Sequence, residues 1–424
     1  MFKQPMRTDV LIVGAGVLGA GTAWRLARAG KRVVLADKGD LGRGASGANA
    51  GGIQLTPTAP ELLPYEMEAE RQWRTMGAEV GHDLGYTRCG GLRFAETPGE
   101  LEELAAGVPT QRALGLDVRV LTQREAQAMV PALSNAAVGA IYSPQDGYAA
   151  SRVVPVALAR AAAGHGAVVL PFHPVRSIER CSQRFAAQVG EFVVEADIVV
   201  NAAGAWVGQI AAMLGVLIPV EPDVLQVHVT DPIPPLLPHV YGHARKNLTI
   251  KQFKEGNVVV GGGRPGVGGL DVGVQRTTLV TMLNNLADAS RLFPALYNAH
   301  LLRSWAGVEG RSPDGLPYLG PADARGDFFI LACCRGGFSN SPILTQLLSE
   351  LILHGRTQLP IAPFNPTRFA DRTKDPHLFD WLRRKRYDWL REVPRPRGDL
   401  PGQAVGPSRN STQGGPRGPL YGEG

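Results

Sequence analysis

The feature that most constrains this chain is a glycine-rich turn near its N-terminus, which reads Gly-Ala-Gly-Val-Leu-Gly from Gly14 to Gly19. An apolar run over residues 8–13 precedes the turn and is typical of a buried parallel strand. Residues 17–29 predict a helix that ends at Gly30, and a second apolar run follows over residues 32–36. A strand, a tight turn, a helix and a second strand form one βαβ unit, so the sequence predicts an α/β fold.

The spacing of the three glycines suits a turn that binds the phosphates of a dinucleotide. Gly14 permits the tight turn, Gly16 lets a pyrophosphate approach the backbone, and Gly19 lets helix and strand pack closely. The first N–H groups of the helix then face the phosphates. Asp37 ends the second strand, where a carboxylate accepts hydrogen bonds from a ribose, and Lys38 beside it is a further candidate ligand. A glycine-rich turn without a ligand is the alternative, and the flanking strand and helix favour the nucleotide.

A second loop of small residues, from Gly42 to Gly52, follows the βαβ unit closely. Its backbone N–H groups can surround a pyrophosphate and a ribityl chain. Ala23 and Gly30 extend the glycine fingerprint to the longer form typical of FAD-binding chains, so the predicted dinucleotide is FAD and not NAD. A flexible linker is the alternative for this loop. Its candidate FAD ligands are Arg43, Ser46, Asn49 and Gly51.

The length of 424 residues exceeds one simple core and favours two domains. Dinucleotide-binding elements recur at the start, middle and end, whereas residues 224–263 alternate like strands of an antiparallel sheet. The predicted fold class is α/β, with a Rossmann-type FAD-binding domain (a mixed sheet with helices) interleaved with an α+β substrate domain on an antiparallel sheet. The predicted FAD-binding domain takes residues 1–85, 146–223 and 306–369, the substrate domain residues 86–145 and 224–305, and a largely disordered basic tail residues 370–424.

Charge and cysteine usage exclude several classes of protein. The net charge is +6, and residues 371–424 carry +4 of it through eleven Lys/Arg against seven Asp/Glu, so the body lacks the basic surface of a nucleic-acid-binding protein. The four cysteines have no metal-ligand spacing, so we expect no metal and a reducing, cytoplasmic location. Residues 1–9 lack the pattern of a signal peptide. Residues 198–220 contain no charge, but three glycines and Pro219 favour a buried core segment over a transmembrane helix.

Several segments beyond the glycine turn make the chain similar to a known family. They are Val199-Val200-Asn201-Ala202-Ala203-Gly204-Ala205-Trp206, Asp146-Gly147-Tyr148, Trp305-Ala306-Gly307, the stretch Ser312-Pro313-Asp314-Gly315-Leu316-Pro317-Tyr318-Leu319-Gly320, and Arg335-Gly336-Gly337-Phe338 with Pro342. Over about residues 8–369 the chain resembles the D-amino acid oxidase family of flavoproteins.

The resemblance implies FAD, with residues 336–338 under the flavin ring and a helix after them that points N–H donors at its N1/C2 edge. It implies that the backbone of Val175 contacts adenine and that Ala203 and Gly204 lie where a strand returns to the FAD. The implied reaction moves a hydride from the carbon beside a neutral amine to flavin N5 and leaves an imine that water hydrolyses. The implied substrates are small amines or amino acids: D-amino acids, N-alkyl amino acids, proline-like molecules or opines.

The substrate side departs from the family pattern. Relatives that oxidise free small amino acids often have a carboxylate-binding arginine after the Ala-Gly-aliphatic triplet, but this chain has Glu309 there. Glu309 either contacts a substrate amine or is a solvated loop residue. Arg335, which precedes the flavin-contacting residues 336–338, is the candidate partner of the substrate carboxylate. Arg311 and Arg303 are weaker candidates. Each of these arginines could instead be a surface residue without a ligand. Lys251 is either a flavin-side lysine or a surface lysine.

Other residues and functions stay open at this point. Tyr241, His243 and His228 either line a substrate pocket or pack in the core. Cys333 and Cys334 lie in a predicted strand away from the position of a flavin-linking cysteine, so we expect non-covalent FAD. The electron acceptor is oxygen or a redox partner.

Two alternative functions involve the C-terminal tail. The chain could be the flavin-bearing subunit of a heteromeric amine dehydrogenase, with Phe379, Trp381 and Trp389 docking a partner chain. It could also be a flavoenzyme that acts on modified RNA through the arginines of the tail. The small net charge of the tail argues against RNA.

Overall fold

The computed structural model describes residues 4–56, 59–332, 336–372, 375 and 377–380. Its helices are α1 (Val17–Arg28), α2 (Ala45–Ala48), α3 (Leu63–Val80), α4 (Pro98–Ala113), α5 (Gln123–Met129), α6 (Val154–Gly164), α7 (Val207–Ala212), α8 (Leu279–Leu292) and α9 (Ser341–His354). Its strands are β1 (Met6–Val13), β2 (Val33–Ala36), β3 (Gly52–Ile53), β4 (Thr87–Arg88), β5 (Gly91–Ala95), β6 (Arg119–Thr122), β7 (Gly139–Ser143), β8 (Gly147–Tyr148), β9 (Val168–Leu170), β10 (Val175–Cys181), β11 (Arg184–Val189), β12 (Phe192–Asn201), β13 (Glu221–Pro232), β14 (Val240–His243), β15 (Thr249–Gln252), β16 (Asn257–Pro265), β17 (Leu301–Arg311), β18 (Tyr318–Pro321) and β19 (Phe328–Ala332).

The first sheet is built around five parallel strands in the order β9-β2-β1-β12-β19. The apolar runs at residues 10–13 and 33–36 are buried because these strands are covered on both faces. Helices α1, α6 and α9 contribute to the core on one face, where Trp24, Trp73 and Leu347 pack together. Strands β10 and β11 extend the sheet antiparallel to β12, and β18 pairs antiparallel with β19.

The second sheet has the strand order β17-β13-β16-β15-β14-β5-β7-β6. Its neighbours are antiparallel except β14 and β5, which are parallel. One face packs on a core that contains the aromatic side chains of Phe94, Tyr241 and Phe293. The register places Gly307 opposite Leu225 and Gly242 opposite Arg93. Residues of β5, β13, β16 and β17 line the site described below.

The predicted fold class is confirmed, with a parallel nucleotide-type sheet and a largely antiparallel second sheet. The predicted strand at 192–201 and helix at 341–354 have the observed bounds. The proposed domain limits at 223/224 and 305/306 fall inside β13 and β17, both in the second sheet, and the division into domains stays a prediction. The expected helix at 379–390 and the tail from residue 381 lie outside the described residues, apart from residues 379 and 380.

The uncharged segment at 198–220 is divided among elements. It forms the end of β12, the short helix α7 and a connection to β13, as the buried-core interpretation predicts. Across the described ranges, no helix combines the length and apolar character needed to cross a membrane.

Candidate functional site

A cleft of about 1670 Å³ lies between the glycine-rich loops of the first sheet and one face of the second. Residues from three distant stretches of the chain line it. Every cofactor-binding residue predicted from sequence except Gly19 is among them: Gly14, Gly16, Asp37, Lys38, Arg43, Ser46, Asn49, Gly51, Val175, Ala203, Gly204, Gly336, Gly337 and Phe338. The cleft therefore brings the predicted site together, while the contact of each residue with FAD stays a prediction.

The glycine turn between β1 and α1 has no room for side chains. Gly14 has φ +107°, and a Cβ there would lie 2.4 Å from the carbonyl oxygen of Ala202. A Cβ on Gly19 would lie 1.8 Å from the carbonyl oxygen of Gly14, so Gly19 packs against the turn from behind the cleft. The Gly14 N–H donates to the carbonyl of Ala36 at 2.7 Å, which ties the turn to β2. The turn thus leaves its open side to a ligand.

Asp37 connects the glycine turn to the end of β2. One carboxylate oxygen accepts from the Ala15 N–H at 2.7 Å and the other from the Gly39 N–H at 2.8 Å. Burial raises the pKa of Asp37, and these two N–H groups act in the opposite direction. The ammonium of Lys38 lies over the ring of Trp206. Both residues stay in the wall of the cleft, as a ribose-binding role requires.

The second loop is fixed by its own polar side chains. The Ser46 hydroxyl accepts from the Val17 N–H at 2.9 Å, at the N-terminus of α1. The Asn49 side chain donates to the Ser46 carbonyl and accepts from the Gly51 N–H, both at 2.6 Å. Gly51 has φ +73°, and a Cβ there would lie 2.3 Å from the carbonyl oxygen of Ala149. These bonds hold the loop open as a cradle whose shape depends on glycine.

Strand β17 of the second sheet packs against this loop. The Trp305 indole N–H donates to the Ala48 carbonyl at 2.8 Å. A Cβ on Gly307 would lie 2.4 Å from the Ala48 Cβ, so the strand contacts helix α2 directly. The guanidinium of Arg152 lies over the Trp305 ring. The loop at 42–52 and the second sheet therefore form one wall.

The third stretch precedes α9. Gly336 has φ +69°, and its carbonyl accepts from the Ser339 hydroxyl at 2.8 Å. The Trp73 indole N–H donates to the Ser339 carbonyl at 2.7 Å, and the Trp73 and Phe338 rings are 5.4 Å apart. Helix α9 begins at Ser341, as the sequence predicts, so its N-terminus faces the same region. Arg335, Cys333 and Cys334 lie outside the described residues, and the role of Arg335 stays a prediction.

The DAO family model, described as FAD dependent oxidoreductase, matches residues 9–351. The chain belongs to this family. The geometry fits the cofactor, because Gly14 and Gly51 have backbone conformations and close contacts that exclude a side chain, next to the N-terminus of α1. FAD is therefore the cofactor of this DAO family member, and its non-covalent attachment stays a prediction.

Individual members of the DAO family show how similar the chain is to characterised proteins. It is 33% identical over 372 residues to glycine oxidase of Geobacillus kaustophilus, covering 85% of this chain and 97% of that protein. It is 28% identical to an opine oxidase subunit of Rhizobium meliloti, with the same two coverages. The crystal structure of the Geobacillus glycine oxidase superposes with a TM-score of 0.81 at 30% identity, over 86% of this chain and 99% of that one. That of L-proline dehydrogenase from P. horikoshii gives 0.79 at 25% identity, over 87% and 99%.

Glu309 lies in the cleft wall on strand β17 and not in a loop, so the loop alternative is wrong, and its contact with a substrate amine stays a prediction. The Arg311 guanidinium lies 3.6 Å from the Glu309 carboxylate and 2.9 Å from that of Asp223. This part of the cleft therefore already balances the charge of Arg311 with two carboxylates. Arg303 also lines the cleft but is exposed at its rim.

Lys251 is fully buried, so the surface-lysine alternative is wrong. Its ammonium lies over the rings of Tyr148 and Phe253, 4.7 and 4.5 Å from their centroids, and finds no hydrogen-bond acceptor among the described residues. A Cβ on Gly51 would lie 2.9 Å from Nζ, which places the ammonium directly behind the loop at 42–52. Burial lowers the pKa of Lys251 to about 7. Its role as a flavin-side lysine stays a prediction.

The three remaining candidates pack in the protein and do not contribute to the described wall of the cleft. Tyr241 stacks on Phe94. His228 is held by the Ser304 hydroxyl at 2.9 Å, and the His243 Nδ1 accepts from the N–H groups of Arg245 and Lys246. Burial lowers the pKa of both histidines to about 4, so both are neutral near pH 7.

The sequence reasoning missed Arg93, which lines the cleft from β5. Its neighbours Leu92 and Phe94 are buried in the core of the second sheet. The sequence contained a signal for this position. Side chains alternate between the two faces of a strand, so a charged residue between two buried apolar residues lies on the face opposite the core.

Proposed function

We propose that the chain oxidises the C–N bond of a small amine that carries a carboxylate, such as an N-alkyl amino acid, a proline-like amino acid or an opine. The observation that carries the proposal is the single cleft formed by three separated FAD-type stretches and the face of the second sheet. The named activities of the relatives support an amino-acid substrate. When bound, FAD supplies the acceptor for two electrons.

The protein's contribution to this reaction is orientation, exclusion of water and charge placement. Strand β17 and the loop at 48–51 close one side of the cleft. The ammonium of Lys251 lies behind that loop and places a titratable positive charge near the cofactor. Glu309 and Arg311, at the end of the same strand, form an ion pair in the cleft wall and can orient a polar group of the substrate.

An anaerobic reduction assay tests the proposal. The flavin-loaded protein is mixed with D- and L-amino acids, N-methyl amino acids, proline and opines, and loss of the visible flavin absorbance is recorded. We expect reduction by at least one of these amines and none by 2-hydroxy acids, which keep the carboxylate but lack the amine. A protein that dithionite reduces but no amine reduces would contradict the proposal. Re-oxidation by air then distinguishes oxygen from a separate redox partner as the acceptor.

A second candidate is the flavin-bearing subunit of a heteromeric enzyme, which the similarity to an opine oxidase subunit supports. The docking element of this second function would be the C-terminal tail. Leu378 is buried beside Phe369 in the core of the first sheet, so a test must keep residues up to 380.

We expect a chain truncated after Asp380 to keep the oligomeric state of the full chain, and to keep its flavin content and amine-dependent flavin reduction within about twofold. Sedimentation analysis and the reduction assay check this result. If the full chain co-purifies with a second polypeptide and the truncated chain does not, the result would instead support the subunit function. A cytoplasmic location stays a prediction in either case.

A further inference from the structure

Arg93 is directed by the second sheet toward the cleft. Strand β5 places Leu92 and Phe94 in the core, so the side chain between them emerges on the other face. In the parallel pair of β5 and β14, Arg93 is opposite Gly242. A Cβ on Gly242 would lie 3.1 Å from the Arg93 Cζ, so the absence of a side chain there leaves room for the guanidinium.

The guanidinium is held in a fixed orientation. Its Nε donates to the Thr56 carbonyl at 3.1 Å, and one terminal nitrogen donates to the His243 carbonyl at 3.0 Å. Both of these acceptors are neutral backbone groups, which orient the cation at the cleft wall. A preoriented arginine loses little freedom when it binds a planar anion.

The loop that contacts Arg93 is itself anchored. The fully buried carboxylate of Asp146 accepts from the Leu55 N–H at 2.9 Å and from the Thr56 hydroxyl at 3.1 Å. Burial raises the pKa of Asp146 to about 7, and the charge of Arg93 partly opposes this shift. The anchor keeps the Thr56 carbonyl, and through it Arg93, in place at the cleft.

Three further cations from the strands and connections of the second sheet line the cleft. Arg311 is paired with Asp223 and Glu309. Lys246 is paired with Glu96 at 2.5 Å and Asp288 at 3.2 Å. Arg303 lies exposed at the rim of the cleft. The carboxylate of Glu309 would repel an anionic group of a substrate placed beside it.

We propose that Arg93 binds the carboxylate of the substrate and thereby selects amino acids over plain amines. The inference rests on the proposed function and assigns the substrate-anchoring position to β5. A guanidinium donates two parallel N–H bonds to a carboxylate, which fixes both the position and the rotation of the substrate. The amine and its neighbouring carbon would then point away from β5 into the cleft.

The test compares charged and neutral ligands that cannot be oxidised at a CH–NH bond. Binding of pyrrole-2-carboxylate, acetate and propionate, and of pyrrole-2-carboxamide, to the flavin-loaded protein is followed by the change in the flavin spectrum. For Arg93→Gln we expect the Kd of the carboxylates to rise at least about tenfold, while that of the carboxamide changes less than about twofold. Arg93→Lys is expected to recover part of the loss, because it restores the charge without the planar fork.

Arg119→Gln is the matched control, since Arg119 is an exposed strand arginine of the same sheet outside the cleft wall. Its carboxylate binding should equal that of the wild type. Wild-type carboxylate binding that Arg93→Gln leaves unchanged would overturn the assignment, as would an equal loss of carboxylate and carboxamide or a wild type that binds no carboxylate. Amine-dependent flavin reduction of the wild type is scored separately, so loss of the Arg93 assignment leaves the proposed function standing.

Discussion

Replacement of Gly19 by alanine is expected to leave the protein almost without flavin. A Cβ at this position would lie 1.8 Å from the Gly14 carbonyl oxygen, which is a backbone atom of the turn that faces the pyrophosphate. No side-chain rotation can relieve that overlap, so α1 or the turn must move. The N–H groups at the start of α1 then lose their alignment with the phosphates. We expect the Kd for FAD to rise by about a hundredfold or more, which corresponds to roughly 3 kcal/mol.

The flavin-to-protein absorbance ratio after purification and the titration of apoprotein with FAD measure this effect. Gly99→Ala provides the control, because Gly99 is a helical glycine of α4 with no atom within 4 Å of its added Cβ. That variant should bind flavin like the wild type and be no less stable. A Gly19→Ala protein that purifies with stoichiometric FAD would show that the helix and strand need not pack so closely.

The parts of the cleft wall that could be located from the sequence are those set by local geometry. The turn at 14–19 requires a buried strand before it and a helix after it, and all three signals lie within one short segment. The loop at 42–52 and the turn before α9 have the same local character. Glycine, Ser46 and Asn49 are needed there for turns and short-range hydrogen bonds, so the residue types alone carry the information.

The substrate side depends on distant pairings that composition does not encode. Arg93 reaches the cleft because β5 lies beside β14, from a segment almost 150 residues later, and because Gly242 faces it there. The sequence leaves Lys251 as either a flavin-side or a surface lysine, and the structure buries it behind Gly51 and against the rings of Tyr148 and Phe253. Each outcome follows from which strands pair, and the sequence pattern constrains that choice only weakly.

Replacement of Lys251 by methionine is expected to stabilise the protein, and to do so more at low pH. Burial lowers the pKa of Lys251 from 10.5 to about 7. Between these values the unfolded chain binds more protons than the folded one, so the wild type gains stability as pH rises from about 7 toward 10.5. Below pH 7 the ammonium is charged in both states, and the full cost of burying it opposes folding.

From pH 6 to pH 9 we therefore expect the free energy of unfolding of the wild type to rise by about 2–3 kcal/mol relative to that of Lys251→Met. Urea denaturation of the flavin-loaded proteins at both pH values measures the difference. The methionine keeps the unbranched shape and can pack against the rings of Tyr148 and Phe253.

Lys246→Met is the control, because it also removes a lysine at the cleft but one that is paired with carboxylates. Lys246 is paired with Glu96 and Asp288, and its loss leaves each of these poorly solvated carboxylates with a single arginine partner, Arg291 and Arg264 respectively. We expect that variant to be destabilised by about 1–3 kcal/mol at both pH values, the opposite sign to Lys251→Met. A Lys251→Met protein that is instead destabilised equally at pH 6 and pH 9 would show that the pKa of Lys251 is not lowered in the folded protein.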